Sequence, residues 1–124
     1  MVVIDELINN KKDFQNLISE TNNVLVFKFG AEWCGPCKKI NPKIQEFKNT
    51  IKDDTRILWY DIDVDDSIEI FGMLKTKRVV NGVPAILVYF EENDQIYPDE
   101  FVLGANIDEI ECLFSNVMKH IEHV

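Results

Sequence analysis

Along this chain, short continuous apolar runs alternate with longer stretches in which apolar residues recur at helical spacing. From about Lys11 to Ser19, Phe14, Leu17 and Ile18 fall on one helical face, and Asn22-Asn23 then punctuates the chain. Val24 to Phe29 is a nearly unbroken apolar run, as expected of a strand covered on both faces, with Lys28 as its one interruption. A second helix is expected after the segment Gly30 to Gly35, with Ile40, Ile44, Phe47 and Ile51 at 3–4 spacing. Pro42 lies inside it, removes one backbone hydrogen bond, and should kink the axis.

Thr55 to Ile62 reads as another inner strand, followed by a helix from about Ile68 to Lys75 that Asp66 or Ser67 can cap. Ala85 to Phe90 and Ile96 to Leu103 read as antiparallel strands joined by the acidic turn Glu91 to Asp94. The last helix is expected to begin at Asn106, with Glu109 as its capping-box partner. Its residues Ile107, Ile110, Phe114, Val117 and Ile121 form one stripe for the sheet. The order β-α-β-α-β-α-β-β-α results, an α/β class. No repeat, low-complexity tract or linker divides the chain, so residues 1–124 are expected to form a single domain.

Composition narrows the partners. With 46% hydrophobic and 28% charged residues, the chain has the make-up of a soluble globular protein. Its net charge of −9 gathers at Asp61, Asp63, Asp65 and Asp66 and again at Glu91, Glu92, Asp94, Asp99 and Glu100. Such a surface repels phosphate backbones and anionic lipid, so neither nucleic acid nor membrane is expected as a partner. The opening Met1-Val2-Val3-Ile4-Asp5-Glu6 has no basic leader, and no apolar run approaches the roughly 18 residues that span a bilayer. A cytoplasmic location is the expectation. There are three cysteines, two of them in Cys34-Gly35-Pro36-Cys37, which points to redox or metal chemistry instead of a dispersed disulfide framework.

The motif Trp33-Cys34-Gly35-Pro36-Cys37-Lys38 sits where a strand ends and a helix begins. At a helix N-terminus, free N–H groups and the positive end of the macrodipole favour a thiolate, the reactive form of cysteine. Cys34 is therefore expected to be the exposed nucleophile. Two intervening residues place Cys37 about one turn on, close enough to close a small disulfide and to resolve a mixed one. Gly35 leaves room for an approaching substrate backbone, and Pro36 suits the first positions of a helix. The competing chemistry is half a zinc site. It needs ligands from Cys112, His120 and His123, whose two-residue histidine gap is shorter than usual spacing, so no metal is expected and the histidines read as solvated tail residues.

Ala31-Glu32-Trp33-Cys34-Gly35-Pro36-Cys37-Lys38, Pro42, Gly82-Val83-Pro84-Ala85 and Gly104 together resemble the thioredoxin family, in order and over nearly the whole chain. The resemblance implies the thioredoxin fold, a central mixed β-sheet with helices on both faces. It implies that Pro84 is cis and faces the disulfide, that the Val83 backbone pairs with an extended substrate peptide, and that Trp33 forms part of the apolar rim around Cys34. It also implies a monomeric protein-disulfide oxidoreductase without bound cofactor, contributing to cell redox homeostasis. Its partners are then disulfide-containing client proteins and a thioredoxin reductase or glutathione-linked reductant.

Some positions depart from the family pattern. Lys28 stands where thioredoxins usually carry a buried aspartate, Trp59 where a lysine often accompanies it, and Gly30 where an aromatic residue is common. The segment between Asp65 and Asn81 is longer than usual. A buried ammonium is costly, so Lys28 is expected to pair with a carboxylate, with Asp61 as the candidate, or to lose its proton. As a cation it should favour thiolate over disulfide. Lacking the aspartate's basicity, it should also leave resolution by Cys37 slower than a carboxylate would. Cys112 points away from the apolar stripe, towards solvent. A rival reading is a thioredoxin-fold binding or regulatory module with weak redox activity.

Overall fold

A computed structural model describes residues 1–4, 8 and 10–122. The elements follow the order β1 (Val2–Ile4), α1 (Lys11–Glu20), β2 (Val24–Gly30), α2 (Gly35–Ile51), β3 (Ile57–Asp63), α3 (Ile68–Thr76), β4 (Ala85–Tyr89), β5 (Glu100–Leu103) and α4 (Ile107–Glu122). This is the expected order. One five-stranded mixed sheet runs β1-β3-β2-β4-β5, with β3 parallel to both β1 and β2 and with β4 antiparallel to β2 and β5.

Strand alternation divides the core into two halves. Leu25, Phe27 and Phe29 face α1 and α3, where they pack with Phe14, Ile18, Tyr60, Ile70, Leu74, Leu87 and Tyr89. Val24 and Val26 point the other way, towards α2 and α4, and join Ile40, Phe47, Trp59, Ile86, Val88, Ile110 and Phe114. Phe114 stacks on Phe47 at 3.9 Å between centroids, which couples the two helices over Trp59. The same alternation assigns Lys28 and Gly30 to the α2 face of the sheet.

Several boundaries differ from the expected ones for local reasons. Strand β5 starts at Glu100 instead of Ile96. Pro98 cannot donate to a ladder, and the Asp99 carboxylate draws the segment into a side-chain-capped turn by accepting from Phe90 N–H at 2.7 Å and Asn93 Nδ2 at 3.0 Å. Strand β3 begins at Ile57 because Asp54 Oδ1 accepts from the Arg56 N–H and holds residues 54–56 in a turn. Ser67 occupies the N-cap position of α3 without capping it by its side chain; its buried hydroxyl donates to the Ile8 carbonyl at 2.9 Å instead. Asn106 does cap α4, with Oδ1 accepting from the Glu109 N–H at 3.1 Å. Helix α2 continues unbroken through Pro42.

Gly104 has φ +113°, a conformation that a side chain would strain, and its N–H donates to the Pro84 carbonyl at 2.9 Å. The start of β4 is thereby tied to the entrance of α4.

Candidate active site

Cys34 and Cys37 are joined by a disulfide, with Cα atoms 5.3 Å apart. Cys34 is the N-cap of α2, extended at φ −89° and ψ 102°, while Cys37 already lies in the first turn of the helix. Cys34 Sγ accepts from the Cys37 N–H at 3.1 Å, so a sulfur takes the place that an Asn or Ser oxygen fills at an ordinary N-cap. Pro36 fits the first turn because the N–H it lacks has no partner there.

Both cysteines are buried, each only 4% exposed. The expectation of an exposed Cys34 is corrected for this disulfide form: the bond and the Cys37 N–H draw its sulfur against the helix end. The surroundings still open outwards. A Cβ placed on Gly35 would meet nothing within 4 Å, so the space at that residue, next to Cys34 in the chain, is open. On the sheet side, a Cβ on Gly30 would lie 3.6 Å from Cys37 Sγ, an ordinary contact.

Trp33 is 68% exposed, and its indole N–H donates to Asp65 Oδ2 at 2.9 Å. The Val83-Pro84 bond is cis. Because Ala85 pairs with Phe29 in the β2–β4 ladder, Pro84 stands at the same end of the sheet as Gly30 and the disulfide loop. Val83 is partly buried against the core half formed with α1 and α3.

Lys28 does not pair with Asp61. The two are register partners across β2 and β3, but Asp61 accepts from Lys48 Nζ and from Trp59 Nε1, each at 3.0 Å. Lys28 Nζ donates instead to Asn41 Oδ1 at 3.0 Å, on the helix that begins with the active-site pair. The physical reason is competition: Lys48 reaches down from α2 onto Trp59 and takes the carboxylate. Partial burial is the main cause of a lowered Lys28 pKa; Asp61 opposes it and Lys48 adds to it.

His120 is also corrected. It is not a solvated tail residue: its ring stacks on Phe90 at 3.8 Å and contacts Glu91 Oε1 at 2.7 Å, beyond the opposite end of β4 from Pro84. His123 lies outside the described residues. Cys112 is exposed, as its helical phase predicts. Among the described residues, no group of three or more His, Cys, Asp or Glu comes together in a way that could hold a metal ion.

Three residues around the site were missed in the sequence. Asn41 and Lys48 follow Cys37 by four and eleven positions on α2, a helical-face signal that was there to be used. Asp65 had none, because its contact with Trp33 depends on how the loop after β3 folds back.

The thioredoxin family model matches residues 5–113 of the chain. Thioredoxin-1 of Schizosaccharomyces pombe is 32% identical over 105 residues, which cover 85% of this chain and 90% of that protein. Thioredoxin H8 of Arabidopsis thaliana is 33% identical over 104 residues, covering 84% of this chain; the match spans only 63% of that longer protein. Among solved structures, a crystal structure of Plasmodium falciparum thioredoxin superposes with a TM-score of 0.60 at 32% identity, covering 88% of this chain and 83% of the other. The disulfide at the head of α2, the mixed sheet beneath it and these likenesses agree: the chain belongs to the thioredoxin family, whose members are disulfide oxidoreductases.

Proposed function

We propose that this protein is a thioredoxin-type protein-disulfide oxidoreductase in which Cys34 attacks a client disulfide and Cys37 releases the client. The observation that carries this reading is the placement of the pair: Cys34 Sγ sits at the N-cap of α2 and accepts the Cys37 N–H, where backbone donors and the helix dipole favour negative charge on sulfur. Cys37 lies inside the helix, walled by Gly30, and is the natural internal partner.

In the forward direction the Cys34 thiolate attacks one client sulfur, forming a mixed disulfide and expelling the other client sulfur as a thiolate. Cys37 then attacks Cys34, which closes the internal disulfide and frees the second client sulfur. The client gains two electrons and the cysteine pair loses two. In this reading Trp33, Gly35, Pro36, Val83 and Pro84 form the client-binding rim. The clients are disulfide-containing proteins, and the oxidised pair is recharged by a thioredoxin reductase or a glutathione-linked reductant. A monomer acting in the reducing cytoplasm goes with it, supported by the cysteine usage of the chain.

The rival, a binding module with weak redox activity, draws on the low exposure of both cysteines and on the cation near Cys37. Turbidity in an insulin-reduction assay, driven first by dithiothreitol and then by a thioredoxin reductase with NADPH, separates the two. Acceleration well above the uncatalysed rate is expected, and no acceleration in either format would favour the binding module.

A further inference from the structure

A cavity of about 840 Å³ opens behind the disulfide, with Cys37 and Gly30 at one part of its wall and Lys28, Asn41, Lys48 and Asp61 at another. Alternation along β2 sets Lys28 on the same face as Gly30, where an added Cβ would lie 3.6 Å from Cys37 Sγ. Asn41 stands about one helical turn beyond Cys37 on α2. The Lys28–Asn41 bond therefore holds an ammonium group on the wall that Cys37 shares, and its partner there is neutral.

Other charged groups share the cavity wall. Asp61, the nearest carboxylate by register, is engaged by Lys48. Glu32 from the loop before α2, Asp63 from β3 and Lys38 from α2 also line the cavity. From β4, the register partner of Lys28 is the uncharged Ile86.

We propose that Lys28, positioned by Asn41, stabilises the thiolate of Cys37 during client release. This rests on the role of Cys37 as the resolving thiol. In that step Cys37 gives its proton to water in the cavity, and its thiolate attacks Cys34 Sγ of the mixed disulfide. The Cys34–Cys37 bond forms as the bond from Cys34 to the client breaks, and the client sulfur leaves with the electron pair. Lys28 makes and breaks no bond. It is a positioning residue that acts through the charge it sets on the cavity wall shared with the inner sulfur, and a nearby opposite charge favours the ionised form.

Stopped-flow reaction of the reduced protein with 5,5′-dithiobis(2-nitrobenzoate) reads both steps, since one thionitrobenzoate is released when Cys34 attacks and a second when Cys37 resolves. In Lys28→Met the first phase should change by less than about twofold, while the second slows by about tenfold at pH 7 and its pH profile moves to higher pH. Lys28→Arg should retain the fast second phase, and Asn41→Ala should fall between the two. An unchanged second phase in Lys28→Met, or equal slowing in the Met and Arg variants, overturns the proposal. Cys37→Ser is the control: a second phase that survives in it overturns the role of Cys37, and this inference with it.

Discussion

The Trp33 indole N–H is bonded to the Asp65 carboxylate at 2.9 Å, so the residue before the active-site cysteine is held by the loop that follows β3. Asp65 is itself oriented, because its N–H donates to Asp63 Oδ1 at 2.8 Å. Asp65→Ala should release the ring. A surface hydrogen bond to a charged group contributes about 1 kcal/mol, enough for roughly a fivefold rise in KM for a protein disulfide if Trp33 meets the client. The chain has two tryptophans, of which Trp59 is fully buried, so acrylamide quenching reports on Trp33 almost alone and should increase in the variant. Unchanged quenching and KM would show that Trp33 keeps its place without Asp65.

The assignment of roles to the two sulfurs can be tested by trapping. Cys37→Ser should leave Cys34 able to attack and unable to release, so covalent adducts with client proteins accumulate on nonreducing gels. Cys34→Ser should trap few. The reverse outcome would exchange the roles of the pair.

Phe114 is a sensitive point of the core because it stacks on Phe47 and lies against Trp59, joining α4 to α2 over the sheet. Phe114→Ala should cost about 3–5 kcal/mol of stability. The denaturant midpoint measures it; a loss well below that range would mean that the helices close over the cavity.

Acid should selectively weaken the turn before β3. The side-chain bond from Arg56 is the main reason that the Asp54 pKa lies below its ordinary 3.8. A carboxylate with a depressed folded-state pKa contributes stability that is present above the unfolded value and lost as the pH falls through the folded one. Asp54→Asn should therefore be less stable than wild type at pH 7, and the difference should shrink as pH drops below 3.8. Urea midpoints across that range check it, and a difference independent of pH would assign the effect to packing alone.

Most of the fold was legible in the sequence because the periodicities were clean. Phe14 and Ile18, Ile40 to Ile51, and Ile110 to Ile121 all mark the buried faces of their helices. The errors arose where a side chain competes with the backbone for hydrogen bonds, as Asp99 does ahead of β5 and Asp54 ahead of β3. The first strand was implied by the order of elements and had no assigned range; three residues beside the charged Asp5-Glu6 give too short a pattern to read. Within the site, the cysteine pair and the proline before β4 were visible as local motifs. The partner of Lys28 was not, because choosing between Asp61 and Asn41 requires knowing that Lys48, twenty residues away in sequence, descends from the helix onto the same carboxylate.

The division of the core into two halves has an implication for how this protein can change. The layer beneath α1 and α3 is built from interlocked aromatics, Phe14, Phe27, Tyr60 and Tyr89, and contains neither active-site cysteine nor any of the lysines around Cys37. The opposite layer carries the helix that bears both sulfurs. Substitutions among those four rings can raise or lower the protein's lifetime with little bearing on its thiol chemistry, while substitutions near Lys28 can retune that chemistry on an unaltered scaffold. Durability and reactivity are thus open to separate selection, in evolution or at the bench.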